Sequence, residues 1–89
     1  MNNKQILGAL ALDLKRAAIG YFRGSTTMSE IFFEEAIKRR KELENSSLKP
    51  YLIKLLKNME NLKKEKNDRA AEDALLYSTI FQNASVSQL

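Results

Sequence analysis

The spacing of apolar residues near the start of the chain most constrains its fold. Five of them recur at alternating steps of three and four: Leu7, Leu10, Leu14, Ala17 and Tyr21. This period places them on one face of an α-helix, which we predict from about Asn3 to Phe22. Gly24 follows and can close the helix in the left-handed conformation. Asp13 and Gly20 lie off the apolar face and are predicted to face water.

Three further segments have helical periodicity and start at residues that cap helices. Thr27 and Glu30 are spaced as a capping box, which predicts the start of a second helix. Pro50 lacks an amide donor, so it fits only the first turn of a third helix. Asn67 or Asp68 can cap a fourth helix, because either side chain accepts a hydrogen bond from a free backbone amide.

The predicted fold is therefore all-α, a small bundle of four short amphipathic helices. We predict a single helical domain over residues 1–84 and a frayed C-terminal tail over 85–89. A chain of 89 residues has one small core, so its stability is thin unless a partner adds buried area. No apolar run approaches the roughly 18 residues that a membrane-spanning helix needs.

The residues that usually carry enzyme chemistry are missing from this sequence. It contains no cysteine and no histidine, so it lacks a thiolate nucleophile, a disulfide, the commonest metal ligand and the commonest acid–base group. We therefore expect no catalytic site, no cofactor and no metal. The absence of cysteine pairs is also typical of a cytoplasmic protein.

The first and fourth helices carry more apolar residues than one inner face needs. Leu12 and Ile19 lie nearly opposite the main apolar face of the first helix. Leu76 and Ile80 lie about 100° from the inner stripe of the fourth helix. That stripe contains Ala70, Ala74, Tyr77 and Phe81. We predict that the four outer residues form the interface of a homodimer, namely Leu12, Ile19, Leu76 and Ile80. The alternative is that loops and the C-terminal tail cover them within one chain.

Asp73 projects from a largely apolar part of the fourth helix, where an unpaired charge is costly. Arg40 lies inside the apolar arc of the second helix, and Arg16 lies on the first helix. We predict that Asp73 forms a structural ion pair with these arginines. The alternative interpretation is a functional acid in a cleft.

The chain has a formal net charge of +4, so contact with nucleic acid is also considered. The candidate phosphate-contacting residues are Lys38, Arg39, Lys41, Lys54, Lys57 and Lys64. They form one surface only if the second and third helices are antiparallel neighbours. Glutamates are interspersed among them, as on an ordinary solvated face, so such binding is expected to be weak. The leading interpretation is a non-enzymatic helical protein-interaction or oligomerisation module; the alternative is a nucleic-acid-associated accessory protein.

Overall fold

The computed structural model describes residues 1–65 and 67–87. Its α-helices are α1 (Asn3–Phe22), α2 (Thr26–Glu42), α3 (Pro50–Asn61) and α4 (Asp68–Ser87). Short 3-10 turns, Asn45–Ser47 and Leu62–Lys64, lie on either side of α3. The predicted all-α bundle of four helices is confirmed. Within the described residues, no helix is long and apolar enough to cross a membrane.

The helix caps agree with the sequence at one boundary and differ at another. The Asn67 side chain accepts a hydrogen bond of 2.9 Å from the amide of Ala70, as expected of a cap for α4. At α2 the predicted cap at Thr27 is wrong, because Ser25 accepts the hydrogen bond from the Met28 amide at 3.2 Å. Gly24 has φ +78°, and this left-handed turn lets α2 begin directly after α1.

The C-terminal segment also differs from its prediction. Rather than fraying after residue 84, α4 continues through Ser87, and Ser85 is buried. A Cβ atom on Gly8 would lie only 3.5 Å from Ser85 Oγ. The last turns of α4 are thus held against the start of α1. The remaining two residues of the predicted tail, Gln88 and Leu89, lie outside the described residues.

α1 is the central helix, with α2 antiparallel on one side of it. The Nε atom of Arg39, near the end of α2, lies 3.8 Å from Asp13 Oδ2 in the middle of α1. At the other end of the pair, the backbone of Gly20 lies against Ser29. The prediction that Asp13 and Gly20 face water is therefore wrong, because α2 packs on this strip of α1. The missing side chain at Gly20 allows the close approach.

α4 is antiparallel to α1 on the opposite side from α2. The Tyr21 hydroxyl, at the end of α1, donates a hydrogen bond of 2.9 Å to Asp68 at the start of α4. The contact between Gly8 and Ser85 marks the other end of the same pair. The order across the layer is therefore α2, α1, α4.

α3 packs across one face of this layer, which we call the front; the opposite face is the back. The largest fully buried side chains come from α1, α3 and α4: Leu7, Leu10, Leu14, Leu52, Leu56, Met59 and Phe81. α3 has 12 residues and α1 has 20, which correspond to lengths of about 18 Å and 30 Å. α3 therefore covers only part of the front.

Candidate functional site

The part of the front that α3 leaves open is a cleft of about 550 Å³, which we call the front cleft. It lies between the start of α2 and the start of α4, over the second half of α1. Its apolar lining consists of Ala17, Ala18, Phe33, Leu62, Ala70, Ala71 and Ala74. The volume falls within the range of about 300–1,000 Å³ that small-molecule sites occupy. The alanines leave the space, because their side chains are too short to meet across it.

The charged residues that line the front cleft, among those that the structure describes, are mostly acidic. Glu30, Glu34 and Glu65 line it, and Lys63 is the basic residue among the described lining residues. The chain as a whole has net charge +4, so the sign of the charge is reversed locally. A field of this sign attracts cations and repels anions.

Tyr21 and Asp68 form a hydrogen bond at the edge of the front cleft. The phenol donates to the carboxylate at 2.9 Å. This hydrogen bond to Asp68 raises the pKa of Tyr21, because the deprotonated phenol would lose the bond and lie beside another negative charge. Asp68 lies in the first turn of α4, where a carboxylate also interacts favourably with the helix dipole.

Asp13 is the buried acid among the residues that the structure describes, with a side chain only 12% exposed between α1 and α2. Its contact with Arg39, at 3.8 Å, is too long for a good hydrogen bond. Burial raises the pKa of Asp13; Arg39 and Arg16 oppose this shift, and Glu35 adds to it. The net direction is upward, so the interior of the protein favours the neutral acid.

We expect Asp13→Asn to stabilise the protein at neutral pH. An acid whose folded-state pKa lies above its ordinary value of 3.8 costs stability once the pH rises past both values. The cost is absent below the unfolded pKa, where the carboxyl is neutral in both states. The gain from Asn should therefore shrink as the pH falls from 7 to 3. Urea unfolding at several pH values tests this; an equal gain at every pH would contradict it.

The residues predicted to form the dimer interface are accessible, but they lie on two surfaces. Leu12 is 46% exposed and Leu76 is 56% exposed, and Ile19 and Ile80 are half-buried. Leu12 and Ile19 project from the back of α1, opposite the side that packs under α3. Leu76 and Ile80 follow the outer side of α4 toward the front. The four therefore do not form one continuous patch.

The structure pairs the predicted ion-pair residues differently. Arg40 Nε lies 3.9 Å from Glu60 Oε1, and the Arg16 guanidinium lies 5.5 Å from the centre of the Phe32 ring. Asp73 has no ion-pair partner within residues 1–65 and 67–87. Asp73 and Arg16 do not meet because they lie on opposite faces of the layer: Arg16 lies toward the back of α1, and Asp73 lies toward the front of α4.

The candidate phosphate-contacting residues are only partly available. Lys38 lies 3.3 Å from Glu35, and Arg39 contacts both Asp13 and Glu42. Lys38 remains exposed beside Glu35, as do Lys41, Lys54, Lys57 and Lys64 elsewhere on the surface.

The relation between α2 and α3 also differs from the one that a shared basic surface requires. The contact between Arg40 and Glu60 joins the last turn of α2 to the last turn of α3. An antiparallel hairpin would instead bring the last turn of α2 against the first turn of α3.

Comparisons with protein-family models, with curated proteins and with solved structures find no match. Among residues 1–65 and 67–87, no group of three or more acidic, cysteine or histidine side chains is placed to hold a metal ion. The front cleft is the feature that the sequence interpretation missed. The available signal was the shortness of the third helix, which cannot cover the whole front of a longer one.

Proposed function

We propose that this chain is a non-enzymatic protein-interaction module that forms a cytoplasmic homodimer through the back of α1. The observation that supports it is the exposure of large apolar side chains there. Leu12 is 46% exposed, and Leu75 on the neighbouring helix is 39% exposed. Apolar side chains that share one exposed face are typical of an interaction surface.

The apolar residues of the back continue across all the helices of the layer. Leu12 and Ile19 are two turns apart on the same side of α1. Arg16 lies between them and reaches the Phe32 ring of α2, 5.5 Å from its centre. On α4, Leu75 lies on the side that leads to the buried Ser85 and from there to α1. The patch is therefore centred on α1 and bordered by residues of both neighbours.

The size of the patch indicates a reversible dimer. Burying the exposed half of a leucine contributes about 1 kcal/mol. With three or four such side chains on each copy, the two copies together contribute roughly 6–8 kcal/mol. Association costs about 4–15 kcal/mol in lost freedom. Because the two quantities are of the same order, we expect a dimer that dissociates on dilution.

We expect sedimentation velocity to show a mass that rises from monomer toward dimer as the protein concentration approaches about 1 mM, because the most favourable balance of the two quantities, about 4 kcal/mol, corresponds to a dissociation constant of about 1 mM. Leu12→Glu should prevent the rise, because it would place one charge from each copy in an apolar contact. Circular dichroism of the same sample shows whether the helices are retained.

Leu76→Glu is the matched control. It introduces the same charge at a leucine of similar exposure, 56%, on the outer side of α4. The dimer should form as in the unmodified chain. If Leu76→Glu abolishes association and Leu12→Glu does not, the interface is on α4 and the assignment to the back is wrong. A monomer at every concentration would contradict the homodimer itself.

A further inference from the structure

We propose that the front cleft binds an organic cation, namely an amine or ammonium group carried on an apolar aromatic or alkyl group. The site is separate from the proposed dimer interface, because the cleft is on the front and the interface is on the back. Ligand binding in the cleft therefore does not depend on formation of the dimer.

The interior of the front cleft determines the apolar part of the ligand. Phe33, Leu62 and the ring of Tyr21 are the large apolar groups that line it, and alanines of α1 and α4 supply the rest of the apolar lining. Such a surface gives up little hydrogen bonding with water when an apolar group covers it. A ligand that was polar throughout would lose its own hydration without compensation.

The acidic residues determine the charge of the ligand. Two exposed carboxylates, from Glu34 and Glu65, line the same cleft as the ammonium of Lys63. A cation beside these carboxylates gains charge-assisted hydrogen bonds. The rings of Phe33 and Tyr21, which also line the cleft, can contribute cation–π attraction. An anionic ligand of the same shape would be repelled.

The length of α3 explains why the chain does not fill this space itself. α3 ends at Asn61, and the next turn ends at Lys64. The chain then reaches α4 at Asp68, held to α1 by the hydrogen bond to Tyr21. Leu62 is the last large apolar side chain of this connection to be buried. The cleft beyond it is open between α2 and α4.

The test uses three probes that share one apolar group: 4-phenylbutylamine, 4-phenylbutan-1-ol and 4-phenylbutanoate. Each is titrated into the full chain labelled with ¹⁵N, and amide chemical shifts report the affinity and the location. We expect the amine to bind about two- to fivefold more tightly than the alcohol, as one partly exposed charge pair allows, and the carboxylate to bind most weakly. The shifted amides should be those of Ala17, Phe33, Leu62 and Ala70.

The charge preference is tested with the double variant Glu34→Gln and Glu65→Gln, both exposed residues. In it, the amine and the alcohol should bind equally well. Glu72→Gln is the control, because it removes an exposed carboxylate of α4 that does not line the cleft, and it should retain the preference.

Three results would overturn the proposal. The first is equal affinity for the three probes, and the second is a set of shifted amides outside the cleft. The third is that an amphipathic peptide of leucine and lysine shifts the cleft amides while the amine does not, which would assign the cleft to a protein partner. Leu12→Glu should bind the amine as the unmodified chain does, so failure of the dimer proposal leaves this result unaffected.

Discussion

Phe81→Ala should destabilise the protein by about 3–5 kcal/mol, as expected when a buried aromatic side chain is lost from a core. The Phe81 ring is fully buried, at 0% exposure, and its centre lies 6.3 Å from that of Tyr77. Removing the ring takes away buried apolar area and leaves a cavity that rigid neighbours fill only in part. Urea unfolding followed by circular dichroism measures the loss directly.

The control for Phe81→Ala is Leu76→Ala on the same helix. Leu76 is 56% exposed, so its truncation removes little buried area and should cost less than about 1 kcal/mol. Because both variants introduce alanine into α4, comparing their free energies of unfolding separates the loss of buried area from the effect of alanine on helix stability. A loss below about 1 kcal/mol for Phe81→Ala would contradict its position in the core, provided that the dependence of unfolding on urea concentration is unchanged.

The placement of Phe81 shows what the sequence could predict. Its spacing from Ala70, Ala74 and Tyr77 gives the inner stripe of α4, and Phe81 and both alanines are buried. The bounds of α1, Asn3–Phe22, also agree with the periodicity. Such features depend on residues within one helix, so the period of the helix is sufficient to find them.

Contacts between helices were harder to predict, because the period of one helix does not show which neighbour packs against it. Asp13 and Gly20 lie off the apolar stripe of α1, and we expected them to face water. In the structure α2 packs on this strip of α1, since the missing side chain at Gly20 admits a close neighbour. The same limit applies to Arg40, whose partner is Glu60 and not Asp73.

The front cleft follows from a relation that no single segment contains. It exists because α3 is shorter than the groove that it covers and because the uncovered part is lined by alanines. The proposed dimer interface and this cleft lie on opposite faces of the same layer. Association through the back would therefore leave the cleft open in both copies, and each site can be removed by substitution without altering the other.

Gly20 and Gly8 should respond in opposite ways to the same substitution. Both lie in α1, where replacing glycine with alanine usually stabilises a helix by about 0.5–1 kcal/mol. At Gly20, however, a Cβ atom would lie 2.9 Å from the backbone nitrogen of Ser29 and 3.0 Å from Met28 Cγ. The start of α2 would have to move away, and such overpacking costs about 1–3 kcal/mol. We expect Gly20→Ala to be destabilising overall.

Gly8→Ala is the matched substitution, because its Cβ atom would meet Ser85 Oγ at 3.5 Å and Ser85 Cβ at 3.7 Å. These are ordinary van der Waals distances, so nothing has to move and the gain in helix propensity remains. We expect Gly8→Ala to raise the midpoint of urea unfolding and Gly20→Ala to lower it. If both substitutions raise the midpoint, α2 does not lie as close to Gly20 as described. If both lower it, α4 also lies closer to α1 than described, because the Cβ atom at Gly8 then displaces Ser85.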